Sequence, residues 1–172
     1  RFSLTYEGFP FTLEAMDFTT FDRYGSFFWL EGDPRRLTDP LEAGEGVIVS
    51  EVFANRTGLG VGDRLRTQVQ GTALDWPNLG IVRDYRTRGG VVFCSLADLQ
   101  QRSGGMAWGG VRLFFKDRQA ADGPALERLQ EDLQRRFGDR LDMFAGRNLR
   151  AVVLKIFDET FVVHVFQKPH VF

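Results

Sequence analysis

The chain has 172 residues, 43% of them hydrophobic, and sets 22 basic against 23 acidic residues for a net charge of −1. At that length one core buries roughly 70% of the unfolded surface, so a single domain with at most an inserted lobe is expected, and no disulfide staple is required. The interleaved charges leave no broad basic field for a phosphate backbone, a single cysteine rules out an internal disulfide, and no apolar run approaches the ~20 residues of a membrane span.

Residues 1–17 predict a hairpin. Phe2, Leu4 and Tyr6 alternate with Ser3, Thr5 and Glu7, a turn falls at Gly8-Phe9-Pro10, and Phe11, Leu13 and Ala15 alternate with Thr12, Glu14 and Met16. A strand beginning directly after Arg1, with no signal peptide, is expected of a piece excised from a longer protein. Residues 18–28 are rich in aromatics, Phe18, Phe21, Tyr24, Phe27 and Phe28. Thr19-Thr20 and Gly25 weaken a helix there, so the spacing predicts irregular core packing. Glu31-Gly32-Asp33-Pro34 reads as a turn, and residues 35–46 as a loop or a short helix broken by Pro40.

Residues 46–65 are the most informative stretch. Val47-Ile48-Val49 is strand-like, and Ser50 is placed to accept a hydrogen bond from the first turn of a helix with Val52, Phe53 and Ala54 on its apolar side. Gly58 stands where a left-handed residue ends that helix. From Arg64 the chain alternates, with Leu65, Thr67 and Val69 on one face and Arg64, Arg66, Gln68 and Gln70 on the other. The order is strand, helix, glycine-rich turn, strand. A dinucleotide fingerprint needs its glycines between a strand and the start of a helix, so these glycines read as structural. The Asn55-Arg56-Thr57 sequon, at a helix end, carries no function in this reading.

Strands follow at 64–70, 79–85 and 91–96, separated by Gly71, Pro77-Asn78 and Gly89-Gly90, with Cys94 reading as a small buried hydrophobe. Ser95 caps a short helix through Leu99, ending before Gly104-Gly105. A strand at 111–115, a helix opened by Gly123-Pro124 with Leu126, Leu129, Leu133 and Phe137 on one face and closed by Gly138, and a strand at 141–144 make a β-α-β unit. The last helix starts at Asn148, carries Leu149, Val152, Val153, Ile156 and Phe157 on its apolar side, and continues through Phe161. The fold class is α+β, two α/β pieces bracketing a β-rich insert.

Catalytic and metal chemistry find little support. His164 and His170 lie six apart in the tail, on different sides of any helix, which is not a zinc pair, and a Ser-His or Cys-His nucleophile would have to take its base from that same tail. Asp84 with Glu31 or Asp33 is the one carboxylate pairing to consider, against the commoner reading of solvated loop charges. No catalytic, cofactor-binding or metal residue is assigned.

The 46–65 stretch, with Gly80-Ile81-Val82-Arg83-Asp84-Tyr85 and Ile156-Phe157-Asp158-Glu159-Thr160-Phe161 in order behind it, resembles the extracytoplasmic domain of FtsX-like (MacB-like) ABC transporter permeases. Ser50, Gly58, Gly62, Asp63, Asp84, Phe157, Asp158 and Phe161 carry the resemblance, and Glu31-Gly32-Asp33 lies where the family has an acidic-glycine turn. The resemblance implies a periplasmic domain of a bacterial inner-membrane protein. Residues 1–30 and 108–150 would form an α/β porter-like lobe, 31–107 a smaller inserted β-rich lobe, and 151–172 a membrane-proximal helix and tail. It implies a non-catalytic part that couples a cytoplasmic ABC ATPase to extracytoplasmic conformational change or export, with a periplasmic adaptor or a lipid or lipoprotein cargo as further partners. Trp29, Trp76 and Trp108 fall near the implied lobe borders, either plugging the junction or forming a docking surface. The tail departs from the family: Val162-Val163-His164-Val165-Phe166-Gln167-Lys168-Pro169-His170 builds no membrane span, as expected if the chain stops at the membrane border and the tail is not native to it. The rival reading is a free-standing periplasmic lipid- or peptide-binding or sensor module.

Overall fold

The computed structural model describes residues 1–84, 89–105, 109–111, 113, 115, 123–140 and 143. The chain divides into two compact units, Arg1–Val111 and Arg112–Phe172. Of the strand expected at 141–144 only Met143 is described, in no strand, and the helix from Asn148 lies outside the described residues. Of the strand expected at 111–115, Val111, Leu113 and Phe115 are described and belong to no strand.

The first unit is α+β, built on strands β1 (Phe2–Tyr6), β2 (Phe9–Met16), β3 (Phe28–Glu31), β4 (Val47–Ser50), β5 (Arg64–Val69), β6 (Thr72–Arg83) and β7 (Gly90–Ser95). The sheet order is β1-β2-β7-β4-β6-β3, with β5 pairing β6 off that path. Strands β2 and β7 run parallel, as do β4 and β6, while β1–β2, β4–β7, β3–β6 and β5–β6 are antiparallel. The central strands β4 and β7 are buried at every residue, because helices or a hairpin cover both faces and the side chains must be apolar in both directions.

Alternation sorts those side chains. Val47, Val49, Val92 and Cys94 join Phe11, Leu13, Phe53, Leu65, Val69, Leu74, Trp76 and Leu99 in one cluster. Ile48, Val91 and Phe93 join Phe18, Leu41 and Val82 in the other. Helices α3 (Glu51–Thr57) and α4 (Leu96–Arg102), with the β5–β6 hairpin, thus supply the first cluster, and α1 (Phe18–Tyr24) and α2 (Pro34–Glu42) the second.

The hairpin 2–16 and the strand 90–95 lie in one sheet: Phe11 to Met16 pair with Gly90 to Ser95 residue by residue. A sheet of residues 64–96 separate from the N-terminal hairpin, which the split-lobe reading predicts, is therefore corrected. β7 is apolar on both faces and needs a neighbour on each side, and β2 supplies one. The first turn is also corrected. Tyr6 pairs with Phe9, so the loop is Glu7-Gly8, with φ of 49° and 83°, a two-residue turn whose handedness suits the strand twist. Gln70-Gly71 repeats it between β5 and β6, with φ of 48° and 86°.

Residues 18–24 form α1 rather than an irregular segment. Asp17 accepts from the Thr20 N–H at 2.6 Å and from the Thr20 hydroxyl at 2.8 Å, and such a cap offsets the modest propensity loss of two threonines. Residues 34–42 form α2, and it runs through Pro40. The hydrogen bond lost there would have been to the carbonyl of Arg36, an exposed residue, and Pro40's own carbonyl is taken by Glu45 N–H at 2.9 Å. Pro77-Asn78, expected as a turn, lies inside the twelve-residue β6.

In the second unit, α5 (Pro124–Phe137) is capped by Gly123 with Pro124 at its first position and closes at Gly138, as the sequence predicts, and a 3-10 turn, Gly138–Arg140, follows it. Leu126, Leu129 and Leu133 are half-buried along one face.

Candidate interaction surface

Ser50 caps α3 as expected, accepting from the Phe53 N–H at 3.3 Å and also from the Val91 N–H at 2.9 Å, so the cap ties the helix to β7. Gly58 ends α3 with φ 74° and donates its N–H to Ala54 O at 2.8 Å. A side chain there would meet no neighbour within 4 Å, so glycine is required by the left-handed backbone alone.

The glycine turn is then fastened to β6. Gly62, at φ 93°, donates to Asn78 O at 2.8 Å, Asn78 donates back to Asp63 O at 2.8 Å, and Asp63 Oδ2 accepts from the Gly60 N–H at 2.8 Å. The Asn78 carboxamide donates to Gly60 O at 3.0 Å and accepts from the Gly80 N–H at 3.3 Å. Asn78 is fully buried. A buried carboxamide is stable only with its partners present, and here they hold the 58–63 loop, leaving Val61 exposed at its tip. The sequence reading missed Asn78 because Pro77-Asn78 reads as a turn. The signal was there in the apolar run Leu79 to Val82 that follows it.

Glu51, at the start of α3, pairs with Arg83 of β6, Arg83 Nε to Glu51 Oε2 at 2.8 Å. That hydrogen bond holds the Glu51 carboxyl below its ordinary range. The Arg83 guanidinium lies 5.3 Å from the centre of the Phe28 ring, a cation–π contact at an aromatic side chain that is 61% exposed. On the hairpin, Asp75 accepts from Arg64 Nε at 2.7 Å and Arg66 Nε at 3.4 Å. These bonds, that from Arg64 foremost, hold its carboxyl low as well.

The tryptophans divide. Trp76 is 1% exposed and donates its Nε1–H to Asp98 Oδ2 at 3.2 Å, so it plugs the core and does not form a docking surface. Asp98 is held in turn by Arg102 Nε at 2.7 Å. Trp29 is half-buried and lies over Gly80, where an added Cβ would come within 2.7 Å of its Cζ3 and 2.8 Å of Glu31 O. Trp108 lies outside the described residues, with Phe157, Asp158, Phe161, His164 and His170.

The carboxylates considered together are placed on separate features. Glu31 is exposed on β3, Asp33 caps α2 by accepting from the Arg35 N–H at 3.0 Å, and Asp84 is half-buried directly after β6. Cys94 is fully buried, and burial, with the nearby charge of Asp98, pushes its thiol up to about 12, the opposite of an activated nucleophile. Among the described residues no group of three or more His, Cys, Asp or Glu is placed to hold a metal, and no helix is long and apolar enough to cross a membrane. A cleft of about 480 Å³ between α1 and α2 is lined by polar residues, among them Thr19, Asp22, Arg23, Arg35 and Asp39.

Compared with known protein families and with curated proteins, the chain matches no family model and no curated protein at a significant level.

Proposed function

We propose that this chain is a non-catalytic extracytoplasmic domain of an FtsX/MacB-type ABC transporter permease, coupling ATP hydrolysis by a cytoplasmic partner to movement outside the membrane. One observation carries the reading. Residues 46–65, the first stretch of the family-like signature, fold as a single unit of strand, capped helix, left-handed glycine, loop and strand, and Asn78 fastens that unit to β6. Its polar groups, Ser50 Oγ, Asp63 Oδ2 and the Asn78 carboxamide, are bound to backbone partners. A unit whose polar side chains are engaged with its own backbone suits a mechanical relay, which needs no free reactive group.

The experiment is ATP turnover of the full-length permease reconstituted with its ATPase, comparing the natural protein with Asn78→Ala. Assembly with the ATPase and a fall in transport-linked turnover are expected. A full-length protein that recruits no ATPase overturns the reading.

A further inference from the structure

The open edge of β5 has a register and a charge pattern that select a particular partner. Val69 and Thr72 flank the two-residue turn, and the Asn78 N–H donates to Asp63 O at 2.8 Å at the other end of the ladder. Antiparallel pairs alternate between bonded and non-bonded, so residues 63, 65, 67 and 69 turn their backbone groups toward β6. The N–H and C=O groups of Arg64, Arg66 and Gln68 point away from it. The same three residues are exposed, because one parity of a strand shares both a backbone direction and a side-chain face. Pro77 fits this register, since it faces Arg64 in a non-bonded pair where β5 needs no N–H from it.

The two arginines share one carboxylate. Arg64 and Arg66 are 50% and 76% exposed and both lean on Asp75, which leaves one positive charge over beside a row of unpaired backbone groups. The strands that end the sheet are poorer templates. β3 has a bulge that skips Leu30 in its pairing with β6, a device that blunts edge pairing, and the outward parity of β1 is the neutral Ser3 and Thr5. β5 pairs with β6 without a register shift over all six residues. A second copy of the chain is a poor occupant: in an antiparallel β5–β5 pairing centred on Arg66, that arginine would face itself, and like charges directly opposite destabilise.

We propose that β5 is a docking edge for an extended acidic segment of a partner protein, added as a strand beside Arg64, Arg66 and Gln68 with its carboxylates on the two arginines. The inference stands apart from the permease reading, since it needs only the hairpin.

The test uses the 172-residue chain and a short synthetic peptide alternating valine with glutamate, set against its lysine counterpart and a backbone N-methylated version. Binding is read by fluorescence anisotropy and by amide hydrogen exchange. The glutamate peptide is expected to bind, to weaken at least ~10-fold when Arg64 and Arg66 are replaced by glutamate, and to be lost on N-methylation. On binding, exchange at the Arg66 and Gln68 amides slows while that at Leu65 and Thr67 does not change. The N-methylated peptide keeps the test decisive should the double variant misfold. Equal binding of the lysine peptide, indifference to N-methylation, dimerisation of the chain through this strand, or protection that maps to β3 overturns the proposal.

Discussion

The Asn78 side chain donates to the carbonyl of Gly60, eighteen residues earlier in sequence, at 3.0 Å. Through that bond a loop that carries no chemistry of its own becomes part of the sheet. Replacing Asn78 by alanine removes the buried partner of the Gly80 N–H and leaves Gly60 O only its 3.3 Å bond from the Asp63 N–H, and a buried group left unsatisfied costs ~1–3 kcal/mol. A urea midpoint lowered accordingly, with an unchanged slope, is the expected outcome. An unshifted midpoint would mean that water replaces the carboxamide.

Gly58→Val is expected to destabilise by more than ~1 kcal/mol, because a β-branched residue tolerates the left-handed region poorly. The space around Gly58 is open, so Gly58→Asn, which accepts that backbone more readily, should cost distinctly less. Thermal melts of the two variants side by side separate backbone strain from crowding.

Much of this unit was legible because local chemistry determines it. Ser50 and Gly58 bracket a short helix whatever it packs on, and the alternation of Leu65, Thr67 and Val69 fixes which face of β5 goes inward. Long-range pairing was not legible. That β2 would lie beside β7 follows from β7 needing two neighbours, and nothing in residues 9–16 says which strand they serve. Asn78 was hidden for a related reason: beside a proline it has turn chemistry, and only the partner loop arriving from residues 58–63 makes it a strand residue. Of the candidate interface, Trp76 proved to be core because its indole N–H has a partner in α4 that sequence separation conceals.

The folded-state carboxyls of Asp75 and Glu51 lie below their ordinary values of 3.8 and 4.5, held there by hydrogen bonds from Arg64 and Arg83. Groups depressed in the folded state add stability that is present above the unfolded pKa and lost as pH falls through the folded one. Denaturant midpoints measured from about pH 6 to about pH 3 should therefore decline. The decline should be shallower in Asp75→Asn, and modest in both, since these pairs are solvent-exposed. A variant with the same slope as the natural protein would show that Asp75 contributes none of it.

Cys94 should resist thiol reagents in the native protein and label fully in denaturant, since it is buried and its thiol is pushed up to about 12. Rapid labelling without denaturant would place it on a segment that opens readily.

Affinity purification of the complete gene product from cell membranes, followed by mass spectrometry of what comes with it, tests the relay role most directly. A permease domain brings a nucleotide-binding ATPase subunit in stoichiometric amount, and adding ATP changes protection from hydrogen exchange in residues 46–65. A product recovered free of membranes, with no ATPase attached and no response to ATP, would contradict it.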